Sequence, residues 1–381
     1  MTLTTLNALK SQLTNDHEAY QTPCFVYSAS DIRDNYCQLK AQLDTPLMMS
    51  IKANHCTDLL HLIRDQIDGF EVASEFELNL LALMKSDCGF INNPSMSPEV
   101  MRKAVAARVT LTLDHPQQIP HLIPLKQKLK PVCLRLSSAL FLNEGEALPK
   151  RIDHFGMDKS ALEDAIALLK KEGIAVDGIH VFRGSHSFES SALDTAEKLP
   201  GIIEYIESQL GYALKTINLG GGFSAECLTG NFNFAAYRAA LAPLSAYQLM
   251  HESGRGIFAS AGYFMTTVVA TKRIADQQII VCDGGMAQNF LLAQTEKPIK
   301  QYAKPEVCIR SGSQRSVLDS TAKVVGSSCN REDVIGQLAP GSVLPEIGDM
   351  LIFSGCGAYN RTYSPIQFLG LTHAREYVMD Q

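Results

Sequence analysis

No segment of the 381-residue chain approaches the ~18 unbroken apolar residues that a membrane span requires. No Lys/Arg block or basic stripe is present, and the formal charge is −6 with a pI of about 5.9. Both observations argue against nucleic acid as a partner. The ten cysteines are scattered and include no Cys-x-x-Cys pair, so neither a zinc site nor a thioredoxin-type site is indicated and no metal is expected. Residues Met1 to Tyr20 lack the apolar core of a secretory signal. Unpatterned cysteines in such a chain read as reduced thiols, mostly core filler, and the expected location is the cytoplasm. The remaining composition, 46% hydrophobic and 19% charged, is globular and sufficient for two cores.

From about Ser28 to Gly262, short apolar runs alternate with amphipathic stretches. The candidate strands are Leu47–Ile51, Gly69–Val72, Cys88–Ile91, Val109–Leu113, Val132–Leu136, Gly178–Phe182 and Thr216–Leu219. Helical patterns between them include Ser74–Lys85, Ser97–Ala107, Ser160–Glu172 and Ser191–Leu210. Ser97-Pro98-Glu99 offers a serine N-cap with proline at the first helical position. Ser74 and Glu77 have capping-box spacing. Seven or eight such repeats fit a (β/α)8 barrel over residues 28–262 better than a doubly wound sheet. Beyond Gly262 the texture turns β-rich (Met265–Ile274, Gln278–Cys282, Val324–Ser328, Asp349–Phe353). Residues 1–27 and 263–381 therefore read as a β-domain, with Cys24–Tyr27 pairing into it.

Lys52, in Met-Ser-Ile-Lys-Ala-Asn, stands where an apolar strand ends. A partly desolvated lysine amine can form a Schiff base with an aldehyde. Taken alone, the residue reads more simply as a lysine snorkelling at a strand end; the motifs downstream reverse that weighting. Gly220-Gly221-Gly222-Phe223 follows a strand and suits an anion cradle, or a plain tight turn. A dinucleotide fingerprint fails at Ala225. In His251-Glu252-Ser253-Gly254-Arg255, the arginine can hold a phosphate and the carboxylate can keep a ring nitrogen protonated. The competing reading is a surface ion pair of little worth. Polar residues crowd the strand exit at His180–His186, where His180 and His186, taken singly, read as ordinary structural histidines. Cys329 and Asp333 share a Gly/Ser-rich turn, and Tyr359 follows Gly355-Cys356-Gly357-Ala358.

The ordered set Lys-Ala-Asn, His-x-x-x-Gly-Ser, Gly-Gly-Gly-Phe, Glu-x-Gly-Arg, Cys-x-x-x-Asp and Gly-Ala-Tyr resembles the fold-type III pyridoxal-phosphate decarboxylases of diaminopimelate, ornithine and arginine. The resemblance spans about Thr22 to Gly370. It implies an alanine-racemase-like barrel with pyridoxal 5′-phosphate as cofactor. Lys52 would bind the cofactor aldehyde and Glu252 would face the pyridine nitrogen. Ser185, Gly221, Gly222, Arg255 and Tyr359 would hold the phosphate. Cys329 would return a proton after carbon dioxide leaves. Asp333, Asn330, Asp283, His154 and Arg135 would face the substrate. It also implies a homodimer in which Cys329 and Asp333 serve the partner's site.

Several positions depart from the family pattern. Phe182 stands where a ring-stacking histidine is usual and can still stack. His154-Phe155-Gly156 replaces Lys-Phe-Gly, and Asn92-Asn93-Pro94-Ser95-Met96 replaces Asn-Gly-Pro-x-Lys. Asn330 replaces a glutamate, and the Arg-Pro of diaminopimelate decarboxylases is missing after Gly284-Gly285-Met286. These changes touch the substrate's far end and leave the electron sink intact. The segment after Asp283 is similar to enzymes of carboxylate-siderophore and aminoglycoside side-chain assembly, which act on amino acids joined to a larger acyl group or carrier. The leading expectation is therefore α-decarboxylation of an amino-acid conjugate in carboxylate-siderophore biosynthesis. A diaminopimelate, ornithine or lysine decarboxylase is the alternative. A racemase would lack the Cys-x-x-x-Asp loop, and a dead regulatory homologue would not keep Lys52, Glu252 and Arg255.

Overall fold

The computed structural model describes residues 3–16, 18–86, 88–142, 153–310, 315–365 and 367–380. The chain divides into two compact units, Asp34–Ile257 and Met1–Arg33 with Phe258–Gln381. The boundaries fall slightly inside the expected 28 and 262.

After β1 (Cys24–Ser28), eight strands close a parallel barrel: β2 (Leu47–Ser50), β3 (Gly69–Val72), β4 (Gly89–Asn92), β5 (Thr110–Leu113), β6 (Val132–Leu136), β7 (Val176–Val181), β8 (Thr216–Asn218) and β9 (Gln248–Ser253). The eighth strand was absent from the sequence-predicted set. Its Gln-Leu-Met-His-Glu-Ser carries little β-branched or aromatic character, yet β9 pairs with both β2 and β8. Tertiary pairing overrides a weak local signal there. One interior layer is apolar, with Met48, Phe90 and Cys133 packed together and Met250 against them. Strand alternation then puts Ser50, Asn92, Arg135 and Glu252, each two residues further along, on the same inner face. The polar layer thus lies toward the C-terminal ends of the strands, where barrels of this kind carry chemistry.

Helix signals behave as their chemistry dictates. Ser97 Oγ accepts from Val100 N at 3.3 Å, with Pro98 at the first helical position. Ser74 Oγ accepts from Glu77 N at 3.2 Å. Glu77 reaches back one residue further than a standard capping box and accepts from Ala73 N at 2.7 Å. The connection after β5 is a 3-10 helix, Pro116–Lys128, because Pro120 and Pro124 remove the donors an α-helix would need.

In the other unit, strands β10 (Gly262–Ile274), β11 (Gln277–Cys282), β12 (Glu306–Cys308), β13 (Ala322–Val325), β14 (Val334–Leu338) and β15 (Met350–Ser354) form one sheet in the order β12-β15-β10-β11-β13-β14. Strand β1 pairs antiparallel with β10 and parallel with β16 (Arg375–Met379). Its core gathers Leu9, Leu13, Cys24, Val26, Tyr263, Met265 and Ile352. The expected strand Val324–Ser328 stops at Val325, where Gly326 opens a turn. Among the described residues no helix is long and apolar enough to cross a membrane.

Candidate active site

Lys52 lies in a short 3-10 turn, Ile51–Ala53, directly after β2. Its Nζ sits 2.6 Å from Oε2 of Glu71 on β3. The lysine side chain is 41% exposed and the Glu71 side chain 1%, so the amine reaches open space while its partner stays dry. Burial pushes the Glu71 carboxyl up; Lys52 pulls it down and Glu252 pushes it up again. Sequence reading missed Glu71. The available signal was a carboxylate inside the strand Gly-Phe-Glu-Val, a costly residue to bury without a partner.

Glu252 lies near the end of β9 on the inner face and is buried. Its Oε1 accepts from Asn218 Nδ2 at 2.7 Å and lies 3.4 Å from His180 Nε2. Burial opposes ionisation, but contacts with His180, Lys52 and Asn218 outweigh it and hold the carboxyl below its ordinary value. Asn218 also accepts from Gly220 N through Oδ1 at 2.9 Å, so one amide fixes both the carboxylate and the start of the glycine loop. An aspartate there would set two carboxylates against each other. Neighbouring His251 is fully buried between Thr45 Oγ1 at 2.7 Å and Tyr237 Oη at 2.9 Å. Desolvation pushes its pKa down to about 3, against the opposing pull of Glu252. His251 is a neutral strut, while Glu252 is the charged residue facing inward.

The glycine loop packs directly on this carboxylate's backbone. A Cβ on Gly221 would meet the Glu252 carbonyl at 2.5 Å, and one on Gly222, at φ 96°, the Gly184 carbonyl at 2.5 Å. Only glycine permits that approach. Arg255, half-buried, opens a short helical turn, Arg255–Phe258, three residues beyond Glu252. Ser185 is exposed at the strand exit.

The substrate-side expectations fare differently. Arg135 is 6% exposed, on the inner face of the barrel. Its Nη1 donates to Asn92 Oδ1 and Asp114 Oδ2, both at 3.1 Å, and its guanidinium lies 4.2 Å from the Phe155 ring centroid and 5.7 Å from that of Phe182. Phe182 and Phe155 meet edge-on at 6.4 Å. His154 is exposed with its ring 4.1 Å from Phe155. Arg183 is held by Asp194 and Thr195 at 3.0 and 3.2 Å.

In the β-rich unit, both oxygens of Asp333 are taken up by backbone amides: Met286 N at 2.7 Å and Ser328 N at 3.0 Å. Asp283 accepts from Thr266 Oγ1 at 2.7 Å, Thr267 N at 2.9 Å and Thr22 Oγ1 at 2.6 Å. Cys329 and Asn330 are exposed on the turn between Ser328 and Asp333. Asn330 Oδ1 accepts from Glu332 N at 2.9 Å. Tyr359 has a positive φ of 66° and belongs to this unit.

An amine beside a buried acid, a second ionised acid on the inner wall, and a glycine loop next to an arginine together suit a phosphorylated pyridine aldehyde. The family model described as the pyridoxal-binding domain of pyridoxal-dependent decarboxylases matches residues 29–267. The chain belongs to that family. Pyridoxal phosphate is its cofactor, and the protein is a pyridoxal-dependent amino-acid decarboxylase. An L-glutamyl-[BtrI acyl-carrier protein] decarboxylase of Niallia circulans is 24% identical over 96% of this chain and 90% of its own. A 2-[(L-alanin-3-ylcarbamoyl)methyl]-2-hydroxybutanedioate decarboxylase of Staphylococcus aureus is 25% identical over 92% of both. Diaminopimelate decarboxylases match at comparable identity. The solved lysine/ornithine decarboxylase of Vibrio vulnificus, complexed with putrescine, superposes with a TM-score of 0.79 at 19% identity, covering 100% of this chain and 99% of that one. That likeness bears on the fold: barrel plus β-rich unit.

Proposed function

We propose that this decarboxylase acts on an amino acid whose far end is already joined to a larger acyl group, in carboxylate-siderophore assembly. One observation carries the reading. The acids that would meet a distal ammonium, Asp333 and Asp283, are engaged by backbone amides and threonine hydroxyls, and Asn330 is neutral. A diamine-type substrate needs a carboxylate free to pair with its second ammonium. An acylated far end carries no such charge. The curated relatives whose names specify an acyl-carrier or carbamoyl-linked substrate support the same reading.

Each site residue has a role in this reading. Lys52 binds the cofactor aldehyde, and Glu71, whose affinity for a proton is raised, takes the proton that the amine must lose to become a nucleophile. Pyridoxal phosphate, when bound, supplies the sink for the electron pair left as the carboxylate departs. Glu252 holds a proton on the ring nitrogen. The amides of Gly221 and Gly222, with Ser185 and Arg255, would hold the phosphate, and Phe182 would lie against the ring. Cys329 returns a proton to the α-carbon, from the second chain of a homodimer.

Carbon dioxide release from meso-diaminopimelate, ornithine, lysine, 2,3-diaminopropionate and the citryl conjugate of the last tests this. Turnover restricted to the conjugate is expected. Rapid release from any free diamino acid would replace the reading with a primary or polyamine-type decarboxylase.

A further inference from the structure

The polar layer of the barrel contains a chain of contacts whose direction can be worked out from donor and acceptor chemistry alone. Asp114 Oδ2 accepts from Arg135 Nη1 at 3.1 Å, and the same nitrogen donates to Asn92 Oδ1 at 3.1 Å. Asn92 Nδ2 lies 3.4 Å from His180 Nδ1. His180 Nε2 lies 3.4 Å from Glu252 Oε1. Asp114, Asn92, Arg135, His180 and Glu252 are all at most 8% exposed, so water does not substitute for a missing partner. Arg135 and His180 are also register partners on β6 and β7.

A guanidinium only donates. Arg135 therefore requires the oxygen of Asn92, and the Asn92 amide cannot turn over. Its N–H is then directed at His180 Nδ1, which must accept. An imidazolium or an Nδ1–H tautomer would set two donors against each other at that contact. The Nδ1–H tautomer would also turn the bare Nε2 lone pair toward the Glu252 carboxylate. Only the Nε2–H tautomer satisfies both ends. His180 Nε2 is itself a buried atom with no hydrogen bond among the described residues, so Glu252 is the acceptor it faces. A distance of 3.4 Å is long for that bond, as is common in sites not yet closed on their ligands.

We propose that Asp114, Arg135, Asn92 and His180 form a directional donor chain ending in the Nε2–H of His180, which holds Oε1 of Glu252 and leaves Oε2 for the cofactor ring. The four are positioning residues, and the proposal rests on the reading of Glu252 as the ring-nitrogen partner. Asn218 donates to the same oxygen from β8, so Oε1 is held from two strands. Arg135 then belongs to this chain rather than to substrate recognition.

The test is nitrogen-15 NMR of the histidine-labelled, cofactor-loaded enzyme at neutral pH, with the His180 signals identified by their absence in His180→Gln. The expected spectrum has a proton on Nε2 and an unprotonated Nδ1. In Asn92→Asp the chain is reversed, because the new carboxylate still satisfies Arg135 but offers His180 an acceptor. The proton should move to Nδ1, and cofactor affinity, read by titrating the stripped enzyme, should weaken by about tenfold, the size of one hydrogen bond. A wild-type spectrum with a protonated Nδ1, or Asn92→Asp with unchanged His180 signals, overturns the chain. The wild-type spectrum decides the matter even where the variant fails to fold. Failure of the Glu252 reading is separately visible, as an unaltered cofactor absorption band in Glu252→Gln.

Discussion

Glu252 in the barrel and Asp333 in the β-rich unit are both buried carboxylates, 6% and 3% exposed, yet their partners differ in kind. Glu252 is held by side chains, Asn218 and His180, with one oxygen left over. Asp333 is held by two backbone amides, one on each oxygen. The first arrangement keeps a charge available to a ligand. The second joins loops: Asp333 ties the Gly285-Met286 turn to the Cys329 turn, and side chains on Gly285 or Gly326 would collide with its carboxylate. Burial of an acid alone therefore says little about chemistry; the identity of its partners separates a reactive group from an architectural one.

The largest expected effect breaks the barrel side of this contrast. Lys52→Ala should abolish the long-wavelength absorbance of the bound cofactor and all turnover. It also removes the cation beside buried Glu71, whose carboxyl is then more easily protonated. Retained absorbance would sink the lysine assignment. In the β-rich unit, Cys329→Ala should keep the cofactor band and slow turnover by about 10²-fold or more, as expected of a lost acid catalyst. An unchanged rate would make Cys329 an ordinary exposed thiol.

Next in size is Asp333→Asn. The amide cannot accept from both Met286 N and Ser328 N, so one buried donor loses its partner, costing about 1–3 kcal/mol. Denaturant unfolding should register that loss while cofactor binding is unchanged. Full stability with a raised KM would return Asp333 to substrate contact.

The legible and illegible parts of the sequence divide along the same line. Capping at Ser74 and Ser97 was readable because caps are local. The period-two spacing that places Asn92, Arg135 and Glu252 beyond Phe90, Cys133 and Met250 is also in the sequence. What connects those residues is not: His180 meets Glu252 across 72 positions, and Asn92 meets His180 across 88. His180 was therefore read as an ordinary histidine, and Glu71 was passed over within an apolar strand. The expectation for Asp333 and Asp283 rests on motif position, which identifies a residue and not its partners. The amides and hydroxyls that engage them lie up to 261 positions away.

The smallest expected effect tests whether the barrel's buried ionisable groups make it acid-labile. The folded value of His251 is about 3, against 6.5 for the free side chain. The unfolded chain binds this proton as pH falls through 6.5, and the folded chain does not until about 3. The stabilising contribution is thus complete above 6.5 and lost progressively below it. Glu252, whose carboxyl is held below its ordinary 4.5, loses its contribution in the same direction but only below 4.5. Of these two groups, His251 alone acts between pH 6.5 and 4.5, with a slope of about 1.4 kcal/mol per pH unit. His251→Gln can still bond Thr45 and Tyr237 but binds no proton. Its unfolding free energy should therefore lose most of that slope, whatever its absolute stability. An equal slope in the variant would mean that the proton uptake arises elsewhere and that His251 is not the neutral strut its burial favours.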